Sequence, residues 1–275
     1  MHPSATVVLM TALSLPPIVP ISTAATADGS DTVICDVRAY LDDRVGYDAF
    51  TAGHIPGARH VDLDSVLAAA ATPGLGRHPL PDPSVFADGL SKAGIGHQTH
   101  VLAYDDAGGM IAGRLVWMLR TLGQNAAVLD GGISAWDGEL EVGAPAITPV
   151  DHPVRTFPNS ATVTADEVEA SIAAGGLVID VRAPDRYAGK VEPIDPVAGH
   201  IDGAINAPFA DNLSDGYFRP IDELAAEYTE RNVDKDTIYY CGSGVSACHS
   251  MLVAEAVGLG RGRLYVASWS GHCTR

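Results

Sequence analysis

The chain has 275 residues, of which 47% are apolar, so it is long enough for two ordinary domains and apolar enough to give each a core. Its formal charge is −17 and it has no basic cluster, which argues against nucleic acid and anionic membrane surfaces as partners. The four cysteines, Cys35, Cys241, Cys248 and Cys273, form no CxxC pair and match no zinc spacing. They do not make a disulfide scaffold, and reduced thiols in a cytoplasmic setting are expected in preference to a secreted or periplasmic one.

The N-terminal stretch MHPSATVVLMTALSLPPIVPISTAATADG combines a short apolar run with an Ala25-Thr26-Ala27 triplet that could serve as a cleavage site. No Lys or Arg precedes the run, and Pro16, Pro17 and Pro20 interrupt the residues after it. The run is also too short to span a bilayer. A frayed N-terminus leading into the first domain is expected, rather than a signal peptide.

From there the chain alternates short apolar runs with helical segments. Val33–Val37, Val101–Tyr104 and Ala126–Leu129 suit buried parallel strands, as do Leu177–Val181, Ile238–Tyr240 and Leu264–Val266. Met110–Leu122 and Val245–Val257 suit helices, each followed by a glycine stop, Gly123 and Gly258. The pattern predicts an α/β fold with parallel sheets. Residues 138–160 hold four prolines and no clear periodicity. Domains are therefore expected at 20–140 and 161–275, with a linker at 141–160.

The two halves repeat each other. VICDVRAYL from Val33 is echoed by LVIDVRAPD from Leu177, and GHIPGA from Gly53 by GHIDGA from Gly199. HVLAYDDAGG from His100 is echoed by TIYYCGSG from Thr237, in the same order and at similar spacing. One domain has been duplicated.

In the second half, Cys241 falls just past a strand and is followed by Gly242, Ser243 and Gly244, then a helix from Val245. Ligands of parallel α/β sheets bind beyond the carboxyl ends of the strands. Glycines let successive backbone N–H groups turn inward as an anion-binding nest, and the helix N-terminus adds its positive end. Such a cradle favours a thiolate, and equally a persulfide, whose outer sulfur carries the negative charge. Cys241 is thus the candidate nucleophile. Cys248 shares a helical face with Val245 and Leu252 and is expected in the core, as is Cys35 in its strand; Cys273, in the terminal tail, gets no role. Position six after the cysteine is Ala247, which removes the arginine that a tyrosine-phosphatase loop needs. His249 lies too far along the helix to act as a papain-like base and is expected to be a surface or packed residue.

These motifs resemble the tandem-domain rhodanese family, the mercaptopyruvate and thiosulfate sulfurtransferases. The resemblance runs from about Ile21 to Ser270. It rests on DVR at Asp36–Arg38 and Asp180–Arg182, GHIxGA at Gly53 and Gly199, LDGGISAW at Leu129–Trp136, CGSGVSA at Cys241–Ala247 and SWS at Ser268–Ser270. It implies two rhodanese-like domains, each a parallel sheet flanked by helices. The second would be catalytic and the first silent, because Asp105 stands where Cys241 stands in the repeat and cannot form a persulfide.

It further implies that Arg186 binds the donor's anionic group alongside Gly242, Ser243, Gly244, Val245 and Ser246. His54 becomes a candidate relay partner of Ser243, with Asp43 and Asp48 both near. The Gly-Ser-Gly loop favours 3-mercaptopyruvate as donor, with thiosulfate the alternative and a persulfide relay fed by a partner protein a second alternative. Mercaptopyruvate enzymes usually carry a second arginine before GHIxGA; the matching position here is Ile194, with Lys190 nearby. A tryptophan usual after SWS is replaced by His272. The expected acceptor is a thiol, cyanide or thioredoxin, and no metal or organic cofactor is expected.

Overall fold

A computed structural model describes residues 13–275. The first half runs β1 (Ile18–Pro20), β2 (Thr32–Asp36), α1 (Gly46–Ala52), β3 (Arg59–His60), α2 (Pro83–Lys92), β4 (His100–Tyr104), α3 (Ala112–Thr121) and β5 (Ala126–Asp130). The second runs β6 (Thr162–Val163), α4 (Ala165–Ala173), β7 (Val178–Asp180), α5 (Pro184–Tyr187), β8 (Ile205–Asn206), a β9–β10 hairpin (Leu213–Ser214, Tyr217–Phe218), α6 (Ile221–Glu230), β11 (Ile238–Tyr240), α7 (Ser246–Ala256), β12 (Arg263–Tyr265) and α8 (Ser268–His272). Segment 141–158 holds no helix or strand and lies along the first domain, where Gly143 N–H donates to Thr51 O and Val150 N–H to Ser91 O.

Each half forms a five-stranded parallel sheet, ordered β1-β5-β4-β2-β3 and β6-β12-β11-β7-β8. The duplication seen in the sequence is thus a duplicated topology. It extends to the cores. Asp36 pairs with Arg38 at 2.6 Å and accepts from Tyr104 Oη at 2.7 Å; Asp180 pairs with Arg182 at 2.6 Å. The Tyr104 and Tyr240 hydroxyls each receive a backbone N–H, from Ile55 and Ile201. The DVR motif is therefore a buried, hydrogen-bonded ion pair that ties the central strands to the GHIxGA turns.

The N-terminal expectation needs correcting. Residues 18–26 are built into the first domain: β1 pairs with β5 as an edge strand, where a proline is tolerated because the missing N–H faces away from the sheet. Cleavage after Ala27 would delete that strand. The start of the apolar run, up to residue 12, lies outside the described residues. Among the described residues no helix is long and apolar enough to cross a membrane.

The two domains meet through α3 and α7. Every residue of α3 is buried, because one face meets its own sheet and the other meets α7. Gly113 permits the approach: a Cβ there would lie 3.2 Å from the His249 backbone. His249 itself is buried between the domains, stacked on Phe218 at 4.8 Å between ring centroids, so it is a packed residue.

Candidate active site

The sheet architecture delivers Cys241 to the carboxyl end of β11, at the domain boundary. The loop after it is held by its carbonyls. Trp269 N–H donates to Cys241 O at 3.0 Å and Ser270 N–H to Gly242 O at 2.9 Å. Arg114 of α3 reaches across the boundary to donate to Gly244 O at 3.1 Å. With the carbonyls tied outward, the Gly244 N–H turns in and lies 3.1 Å from Cys241 Sγ. Gly244 has φ +79°, and a Cβ there would lie 2.6 Å from Val266 O, so the position requires glycine on both counts. Ser268, at φ +51° and fully buried, receives the Cys241 N–H on its Oγ at 3.1 Å. The SWS segment is the clamp behind the loop.

The corresponding turn of the first domain shows what this kind of loop accommodates. The Asp105 carboxylate, fully buried at the end of β4, accepts four backbone N–H groups, from Ala107, Gly109, Ile111 and Ala112, at 2.7–2.9 Å. Burial raises its pKa, and the four N–H groups oppose that rise. The turn in the first domain is a converging set of donors filled by its own acidic side chain.

Of the residues expected at the site, Gly242, Ser243 and Gly244 line the loop beside Cys241. Val245 is buried as the residue before α7 and joins the core, and Ser246 opens the helix. Arg186, from α5, stands over Gly242: a Cβ built on Gly242 would lie 3.5 Å from both terminal nitrogens of its guanidinium. Arg186 is held by Glu192 at 2.6 Å and Asp195 at 3.2 Å. Cys35 and Cys248 are buried in the core, where burial pushes both thiols up to about 12.

His54 is not at the site. It is fully buried in the first domain, where its Nδ1 lies 2.9 Å from Phe50 O and its ring stacks on Phe50 at 4.0 Å. His200 does the same in the second domain, with Nδ1 2.8 Å from Tyr187 O and its ring 3.8 Å from Tyr187. The histidine of GHIxGA closes the preceding helix in both repeats. The residue beside Ser243 is His78, whose Nδ1 lies 2.8 Å from Ser243 Oγ and whose Nε2 is 3.6 Å from Asp64. Neither Asp43 nor Asp48 takes part. Burial lowers the His78 pKa to about 4, with Asp64 opposing and Arg114 and Arg77 reinforcing, so the ring is neutral around pH 7. The carboxylate of Asp64 favours the tautomer with hydrogen on Nε2, leaving Nδ1 to accept from the Ser243 hydroxyl.

Sequence reading missed His78 because its segment, residues 61–82, matches no sequence motif of the second half. It is the longer counterpart of the connection at 207–220, and that extra length, with GRHP at its tip, was the signal available. In the structure the tip crosses to the second domain, and Arg77 N–H donates to Ser270 Oγ at 3.1 Å.

This arrangement can hold a nucleophilic sulfur against a backbone N–H, place a Ser–His proton carrier beside it, and present a guanidinium to an anionic substrate. The rhodanese-like domain family matches residues 22–139 and again 164–272. The chain is 40% identical over 260 residues to a probable 3-mercaptopyruvate sulfurtransferase of Pseudomonas aeruginosa, covering 90% of this chain and 91% of that one. It is 37% identical over 254 residues to a putative thiosulfate sulfurtransferase of Mycobacterium tuberculosis, covering 88% of each. Its structure superposes on a 3-mercaptopyruvate sulfurtransferase crystal structure from Escherichia coli with a TM-score of 0.80 at 30% identity, covering 93% of this chain and 99% of that one.

Proposed function

The chain belongs to the rhodanese family and is a sulfurtransferase, and on that premise we propose that it carries sulfane sulfur on Cys241 from 3-mercaptopyruvate to a thiophilic acceptor. The observation that carries this reading is that one four-residue loop holds both Cys241, with its Gly244 N–H donor, and Ser243, with its His78 partner. The second domain is the catalytic one in this reading. The first is silent, Asp105 occupying its turn, and contributes His78 and Arg114 from across the boundary.

The first step is attack of the Cys241 thiolate on the donor's sulfur. An S–S bond forms and the C3–S bond breaks, its electron pair passing to C3 as the enolate of pyruvate. The donor's thiol proton moves to the Ser243–His78 pair and returns to C3, releasing pyruvate and leaving Cys241–S–S⁻. Loop N–H groups stabilise the anion on the outer sulfur. An acceptor thiolate or cyanide then takes that sulfur and restores the Cys241 thiolate, a two-step covalent scheme. Arg186 seats the donor carboxylate.

The proton carrier favours mercaptopyruvate over thiosulfate. Sulfite leaves thiosulfate without a proton, so that donor has no use for Ser243 and His78. The test is steady-state transfer to cyanide from both donors, side by side, with Cys241→Ser as control. A mercaptopyruvate preference abolished in the control is expected. A thiosulfate preference would overturn the donor assignment, and activity with neither donor would overturn small-molecule turnover in favour of a protein-fed relay.

A further inference from the structure

The second arginine that the segment before GHIDGA lacks has a counterpart in the other domain. We propose that Arg77, carried by the first domain's longer loop, is the second donor-binding cation of the Cys241 pocket, acting with Arg186 on the donor's carboxylate. The proposal rests on the sulfurtransferase reading above.

The loop bearing Arg77 is docked against the second domain. Gly74 N–H donates to Thr274 Oγ1 at 3.3 Å and Arg77 N–H to Ser270 Oγ at 3.1 Å. Gly76, at φ +86°, packs so closely that a Cβ would lie 2.4 Å from Ala267 O. From this anchor Arg77 Nη1 ion-pairs with Asp195, the carboxylate that also holds Arg186 at 3.2 Å. Asp195 therefore bridges two guanidinium groups from different domains and fixes both.

Their remaining donors converge. A Cβ built on Gly242 would lie 2.9 Å from Arg77 Nη2 and 3.5 Å from both terminal nitrogens of Arg186. Among the described residues, neither Arg77 Nη2 nor Arg186 Nη1 donates to a protein acceptor, and Arg77 Nε is buried without one. Arg182 is not available, being spent on Asp180 and Glu192. Without Arg77, the acidic pair Glu192 and Asp195 would outnumber Arg186 over Gly242 and repel an anion. With it, the charges facing the loop balance, and a carboxylate finds one free guanidinium nitrogen from each arginine above Gly242. Glycine at 242 is what leaves them room.

The experiment compares 3-mercaptopyruvate with 1-mercaptopropan-2-one, the same thiol and ketone without the carboxylate, in the full-length wild type, Arg77→Met, Arg77→Gln and Arg77→Lys. Folding is checked by thermal unfolding, and the Gln variant serves if Met unfolds the loop. For either neutral variant, kcat/KM for mercaptopyruvate should fall about 10–100-fold, the worth of one charge-assisted hydrogen bond. The neutral donor should change by no more than about threefold, and Lys should recover part of the loss. An equal fall with both donors would overturn the proposal by making Arg77 a docking residue, and so would no change with either. Failure of the sulfurtransferase reading would show differently, as a wild type that turns over neither donor, and would overturn both.

Discussion

Nδ1 of His78 lies 2.8 Å from Oγ of Ser243, although 165 residues separate the two in the chain. The contact crosses the domain boundary, so the pair forms only when the first domain is docked on the second. In our account this pair handles a proton that mercaptopyruvate turnover needs and thiosulfate turnover does not. His78→Ala should lower kcat/KM for mercaptopyruvate by about 10²-fold or more while leaving thiosulfate turnover nearly unchanged. Ser243→Ala should do the same, and the double variant should be no worse than either single one. Because the His78 pKa is near 4, mercaptopyruvate activity should show no acid limb from this residue near pH 6.5.

Arg114 is fully buried and spends its guanidinium on carbonyls: Gly244 O at 3.1 Å, His78 O at 3.1 Å and Leu67 O at 3.4 Å. It orients the cysteine loop and the His78 loop at once. Arg114→Met should slow single-turnover release of pyruvate and of sulfite alike, by about 10–100-fold, because the loop serves both donors. Arg114→Lys should not restore either, since one ammonium cannot span three carbonyls. A loss confined to mercaptopyruvate would show that only the His78 contact matters.

His249 is buried with neither ring nitrogen hydrogen-bonded among the described residues, and burial lowers its pKa to about 4. Between about pH 6.5 and 4 the unfolded chain binds a proton there that the folded chain refuses. Stability is therefore full above about pH 6.5 and declines as pH falls to about 4, by up to ~3 kcal/mol from this residue. His78 contributes in the same direction. In urea unfolding at pH 7.5 and 4.5, His249→Leu should show a smaller acid loss than wild type. An unchanged loss would mean that the imidazole is protonated in the folded state.

The edge strand β1 makes a prediction about the N-terminus. A chain beginning at Asp28 loses the pairing of Ile18–Pro20 with Val128–Asp130 and uncovers the apolar face that Val19 and Ala24 bury. It should be less stable than the full chain by several kcal/mol, measured by denaturant midpoint. Equal stability would revive cleavage after Ala27.

The duplication, both sheets and the position of Cys241 just past a strand were legible because each is local: a strand, a turn and a helix start occupy neighbouring positions in the chain. Core placement of Cys35 and Cys248 followed from strand burial and helix periodicity in the same way. What was not legible depends on the second domain meeting the first. His54 attracted attention through a motif, yet its twin His200 shows that the motif histidine stacks locally in both repeats. His78 and Arg77 sit in a connection longer than its repeat counterpart and unlike it in sequence, and nothing in its local pattern says which surface it crosses to reach. The β1 segment was misjudged because prolines were read as breakers, whereas at a sheet edge they cost no ladder hydrogen bond.

The central claim is that Cys241 alone carries the sulfur, and mass analysis of its peptide tests this most directly. The full-length protein is treated with 3-mercaptopyruvate, without acceptor, and the peptides bearing the four cysteines are weighed and fragmented, so that Cys241 and Cys248, which share a peptide, are told apart. The account predicts one added sulfur atom on Cys241 only, lost on adding cyanide, and none in Cys241→Ser. Sulfur on Cys248 or Cys273 instead, or pyruvate release that persists in Cys241→Ser, would contradict it.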